Sequence, residues 1–221
     1  MTTFYRKEAR LFTLITKMKE AIENEIYESD IYVMLTSYKL AGNTITLTFS
    51  IFIELAQDED AIIQKWQVTC DGVQEYNLRY LEFDSIDLLD NHCLLWDYNK
   101  QTANLFFQGE TTNIKGVIAD LFLRHQHLTE GLIPFVQYIN TYKEGHAFGD
   151  LEWLLSAKQG LFADGPAELM QVYEEVLNIY GLKTSLLPSD VNPPCSECKI
   201  FLFGGSYIIA RDFNEVKLDY I

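Results

Sequence analysis

The residues from Ile31 to Leu55 constrain this chain more than any others. Ile31, Val33 and Leu35 alternate with Tyr32, Met34 and Thr36. After Ala41-Gly42-Asn43 the alternation resumes in Ile45, Leu47, Phe49, Ile51, Ile53 and Leu55, with Thr44, Thr46, Thr48 and Ser50 on the other face. A period of two sends successive side chains to opposite faces of a strand, and a Gly-Asn turn reverses the chain. The segment therefore reads as a β-hairpin with one apolar face, and that face needs a second layer to cover it.

Further strands follow. Gln57-Asp58-Glu59-Asp60 is expected to end the hairpin, Ile62 to Cys70 to form the next strand, and Asp71-Gly72 to turn it. Tyr76, Leu78 and Tyr80 read as another strand, and residues 84–91 as a short strand or a turn of helix. Cys93 to Tyr98 and Ala103 to Phe107, on either side of Asn99-Lys100-Gln101, form a second hairpin candidate.

Then the period changes. Asn113 is a good N-cap, and Ile114, Val117, Ile118, Leu121, Phe122 and His125 share one helical stripe. Gly131 and Pro134 interrupt it, and Phe135, Tyr138, Ile139 and Tyr142 restart it. Leu151, Leu154 and Leu155 mark a short helix. Asp164-Gly165-Pro166 opens a longer one with Leu169, Val172, Tyr173, Val176 and Tyr180 as its stripe and Gly181 at its end. A loop with Pro188, Pro193 and Pro194 leads to a closing hairpin, Lys199 to Phe203 and Tyr207 to Phe213.

The plan predicts an α+β fold. An antiparallel sheet of about six to eight strands is packed by an N-terminal helix and a central group of helices, with a β-hairpin at the C-terminus. At 221 residues and with 48% hydrophobic residues, the chain is expected to form a single domain over 1–221.

Charge bounds the function. Seventeen basic residues against 32 acidic ones give −15. The imbalance is uneven: residues 1–19 carry Arg6, Lys7, Arg10, Lys17 and Lys19 against Glu8 alone. Between 52 and 97, eleven acids face only Lys65 and Arg79. Such a field repels a phosphate backbone and favours a basic protein partner, so no nucleic-acid partner is expected. The acidic surface is assigned to Glu54, Asp58, Glu59, Asp60, Asp84, Asp87 and Asp90. Leu11, Leu14, Ile15, Met18, Ala21, Ile22 and Ile26 predict an amphipathic helix over roughly 5–27. Its basic residues sit at the positive end of the helix dipole and its acids at the negative end, so the acidic body of the chain is the expected anchor. No apolar run is long enough for a bilayer, and the first residues lack the apolar core of a secretion signal. A cytoplasmic location with reduced thiols, away from membranes, is the resulting expectation.

Candidate chemistry is sparse. Cys195-Ser196-Glu197-Cys198 has the spacing of two zinc ligands, but a closed site needs four, and Cys70, Cys93 or His92 would have to join it. His125 and His127 point about 200° apart on a helix and cannot share a metal. Glu144, His146, Asp150 and Glu152 combine a histidine with carboxylates, as a general base or a metal site would, with no nucleophile written beside them. Asp84, Asp87 and Asp90 lack the glycine and closing glutamate of a calcium loop. Phosphate-loop, dinucleotide, nucleophile-elbow and zinc-protease motifs are absent from the sequence. No cofactor, metal or catalytic residue is assigned.

In general character, as a small acidic α+β chain without a catalytic motif, it resembles immunity and antitoxin-type binding proteins. That resemblance is compositional and transfers no residues. It implies a non-enzymatic interaction module, with a small-molecule site or an enzyme site in a sheet–helix cleft as the alternative.

Overall fold

A computed structural model describes residues 16–26, 31–55, 59–79, 82–83, 85–141, 149–189 and 197–218. The fold is α+β with antiparallel pairing throughout, and its strands form sheets of five, four and three. The chain divides into two compact units, residues 1–89 with 199–221, and residues 90–198.

The first unit contains α1 (Thr16–Ile26), β1 (Ile31–Ala41), β2 (Thr44–Leu55), β3 (Glu59–Asp71), β4 (Glu75–Asn77), β5 (Glu82–Phe83) and β6 (Ile86–Leu89). From the second unit the chain returns as β10 (Lys199–Phe203), β11 (Ser206–Ala210) and β12 (Asp212–Leu218), the intervening strands β7–β9 belonging to that unit. The predicted hairpin is present, with Ala41 paired to Thr44 and Gly42 in the left-handed region at φ 59°. Glu59 and Asp60 do not end the pairing but begin β3, opposite Leu55 and Glu54.

Two sheets, β12-β3-β2-β1-β5 and β4-β11-β10-β6, share this unit. Three bends join them into one ring of pairings. β3 passes into β4 through Gly72, β11 into β12 through Arg211, and β5 into β6 through residues 84–85. Following the pairs β1–β2, β2–β3, β3–β12, β11–β10, β10–β6 and β5–β1 returns to the start, so the six segments close as an antiparallel barrel. Gly72 is required at its corner. Its φ is 66°, and an added Cβ would sit 3.2 Å from the Arg211 side chain. The barrel interior is filled by Leu47, Phe49, Ile51, Val68, Phe201, Phe203 and Phe213. Phe49 meets Phe83, Phe201 and Phe203 edge-on at 5.2–6.1 Å between ring centroids, the arrangement aromatic quadrupoles favour.

α1 buries Met18 and Ile22, one helical turn apart, in the same core. Leu11, Leu14, Ile15, Arg6, Lys7 and Arg10 lie outside the described residues. The docking carries an acidic anchor. The Glu215 carboxylate on β12 accepts from the backbone N–H groups of Lys17 and Met18 at 3.0 Å each, and Lys19 Nζ lies 2.6 Å from Asp87 on β6. An anion at the first turn satisfies orphan donors and opposes the positive end of the dipole.

The second unit opens with a 3-10 turn at Cys93–Leu95 and α2 (Trp96–Asn99). The expected strand at 93–98 is therefore helical. His92 caps the turn by accepting from Leu94 N–H, and Cys93, Leu95 and Trp96 are buried together, a spacing that no strand face matches. β7 (Thr102–Gln108) pairs instead with β8 (Gln159–Pro166) and β9 (Lys183–Pro188) on its two sides. Between them lie α3 (Ile114–Thr129), α4 (Gly149–Ser156) and α5 (Ala167–Ile179). Asn113 caps α3 as expected, accepting from Gly116 N–H at 3.0 Å. The expected helical restart after Pro134 is a series of turns, in which Phe135 is buried and Ile139 bridges to Ala163. α5 starts one residue later than expected, with Pro166 as its cap and the end of β8. Its Leu169, Tyr173, Val176 and Leu177 pack on Leu105, Phe107 and Phe162 of the sheet and on Val117 and Leu121 of α3.

Candidate functional site

The residues assigned to the acidic surface fall in different places. Glu54 and Asp60 occupy one cross-strand position at the turn end of the β2–β3 hairpin, with Leu55 opposite Glu59 in the next pair. Asp58 and Asp84 lie outside the described residues. On the same sheet, Glu82 pairs with Met34, itself opposite Ser50, and is exposed four residues along β2 from Glu54. The register therefore gathers Glu54, Glu59, Asp60 and Glu82 toward one end of this sheet. Asp87 belongs to a different edge, on β6 opposite Leu202, and is engaged by Lys19. Asp90 is exposed at the start of the second unit. Asp87 and Asp90 follow one another on and just after a strand, so no helical face brings them together.

The histidine of the α3 stripe is locked in the second core. His125 has no exposed surface, Nε2 lies 2.8 Å from the Ile133 carbonyl and Nδ1 lies 2.8 Å from the Tyr173 hydroxyl. A carbonyl only accepts, so Nε2 carries the proton and Nδ1 accepts from Tyr173. Burial holds the imidazole below its ordinary pKa and pushes the Tyr173 phenol up. Thr129 donates to the His125 carbonyl, and Cys93 Sγ lies 3.5 Å from the Thr129 carbonyl. These polar atoms satisfy one another and face no open volume, which is a structural network and not a reactive one. Neither Tyr173 nor Cys93 was legible as its partner, because each comes from a distant stretch of chain.

Cys195 lies outside the described residues, and Cys198 is buried. The Asn99 side chain pairs with the Cys198 backbone, donating to its carbonyl at 2.6 Å and accepting from its N–H at 3.0 Å. Burial raises the thiols of Cys70 and Cys93, which disfavours the reactive thiolate. His146 and Glu144 lie outside the described residues, and Glu152 is exposed on α4. Among the described residues no three histidine, cysteine or carboxylate groups cluster as metal ligands would, and no helix is long and apolar enough to cross a membrane.

The sheet–helix interface of the second unit is filled. Leu105, Val117, Leu121, Phe162, Tyr173, Val176 and Leu177 there have no exposed surface. A concavity of about 470 Å³ lies instead at one end of the β8-β7-β9 sheet, lined by Phe106, Gln108, Gln159, Lys183 and Ser185 among others. The chain matches no family model, and no curated protein or solved structure is detectably similar to it.

Proposed function

We propose that this protein is a non-enzymatic interaction module whose acidic surface meets a basic protein partner in the cytoplasm. The observation that carries the reading is the strand register that sets Glu54 opposite Asp60 and Leu55 opposite Glu59, in a chain of net charge −15. Like charges at one cross-strand position oppose pairing, so their presence is better accounted for by recognition than by stability. The buried, self-satisfied His125 network supports a non-catalytic reading. The same field disfavours nucleic acid.

The test is capture from the source lysate at low and high salt, using the parent and a variant with Glu54→Gln, Asp58→Asn, Glu59→Gln and Asp60→Asn. A control variant neutralises four acids of the second unit, Glu110, Glu130, Glu152 and Asp164. A basic protein held by the parent and the control, released by salt and lost from the hairpin variant supports the reading. Equal loss in both variants reduces it to net charge, and a partner indifferent to salt removes it.

A further inference from the structure

One face of the β8-β7-β9 sheet carries polar side chains that the fold leaves unused. By register, Gln159, Gln108 and Lys183 form one cross-strand row, and Leu161, Phe106 and Ser185 form the next. Partners in antiparallel strands share a face, so the two rows lie side by side around the exposed Phe106 ring. The neighbouring Phe107 and Thr184 belong to the other face. Phe107 is buried in the core, and Thr184 donates to Glu174 and Asn178.

Among the described residues, the Gln108 and Gln159 amides, the Ser185 hydroxyl and the Lys183 ammonium have no hydrogen-bond or ion-pair partner. No carboxylate lines the concavity, although 32 of the 221 residues are acids. Its volume of about 470 Å³ is that of a small-molecule site.

We propose that this concavity binds a sugar acid, a hydroxylated ring carrying one carboxylate. The aromatic face offers a flat apolar platform for the C–H face of such a ring. Each glutamine amide both donates and accepts, as the serine hydroxyl does, which matches ring hydroxyls that also do both. A single ammonium matches a single carboxylate. A nucleic-acid strand would need several cations along its phosphates and finds one. The assignment is independent of the acidic interaction surface, which uses other residues on the other unit.

Saturation-transfer NMR with galacturonic acid, galactose and acetate tests it on the full chain. The parent is expected to transfer saturation to galacturonic acid more strongly than to galactose, and acetate is expected not to displace the sugar acid. Phe106→Ala should weaken both sugars about tenfold, the loss typical of an aromatic anchor. Lys183→Met, which keeps the aliphatic stem, should erase the preference for galacturonic acid and leave galactose unchanged. Both positions are exposed, so melting temperatures close to the parent's are expected; should Phe106→Ala unfold, Lys183→Met carries the test alone. No transfer to either sugar in the parent overturns the proposal. So does transfer unaffected by the variants, or displacement of the sugar acid by acetate, which would reduce the site to a bare cation.

Discussion

Val176 shows what a single position contributes. It lies on α5 with no exposed surface, among the side chains that join this helix to the sheet. Val176→Asp would place an unpaired carboxylate there, and we expect a loss of about 3–5 kcal/mol in urea unfolding. A midpoint within error of the parent's would mean that the helix face is wet. His125 adds a pH dependence of definite sign. Above the ordinary histidine range the folded and unfolded chains both carry it neutral, and its contribution to stability is complete. As the pH falls through that range the unfolded state takes a proton that the buried ring resists, so stability is lost. His92, lowered chiefly by burial and capping Leu94 through Nδ1, adds a slope of the same sign. Unfolding midpoints should drop between about pH 7 and pH 5, and His125→Gln should flatten part of that drop. An unchanged slope in that variant would show that the ring protonates as freely in the fold as outside it. The apolar stripe of α3 announced that His125 is buried. What satisfies it came from Tyr173, 48 residues away, and no local pattern encodes such a pairing.

The first helix turns on an element-scale effect that its own residues do not contain. Eleven residues are marginal as an isolated helix, so α1 depends on its docking. Met18 and Ile22 supply the apolar part, and Glu215 supplies the acceptors for its first turn. Glu215→Gln keeps one acceptor and removes the charge, and should cost about 0.5–2 kcal/mol. Hydrogen exchange at Lys17 and Met18 should accelerate while the barrel amides stay protected; unchanged exchange there would rule out the cap. Asp87→Asn should cost less, under about 1 kcal/mol and less still in salt, because both partners of the Lys19 pair are well exposed. The alternation of β1 and β2 and the stripes of α3 and α5 were readable, because each buries one face at the period of its own structure. β8 and β9 were not. Gln159–Pro166 contains two glycines and a proline, and Lys183–Pro188 ends in one. Both are strands because β7 offers an unpaired edge on each side, a tertiary fact that local propensity does not carry.

At the scale of the whole molecule, the order of elements is that of an insertion. Leu89 on β6 and Ile200 on β10 are register partners, so the chain leaves the barrel and returns to it at neighbouring positions. The sequence written as one line suggested one domain over 1–221, because the helices follow the strands without a linker. Contact grouping separates 90–198, and that stretch has a core of its own, from Ala103 on β7 to Val176 on α5. Its two ends are fastened inside it, by the reciprocal Asn99 pairing with the Cys198 backbone. A segment with a closed core and adjacent ends needs nothing from its host to fold. We therefore expect residues 90–198, expressed alone, to unfold in one cooperative transition and to disperse their amide resonances. Asn99→Ala should lower the midpoint by the value of two hydrogen bonds, about 1–3 kcal/mol. Val176→Asp should abolish the transition, which ties it to this core and not to residual helix. A broad, non-cooperative melt of the excised segment would instead make 1–221 one folding unit, with the inserted core dependent on the barrel that carries it.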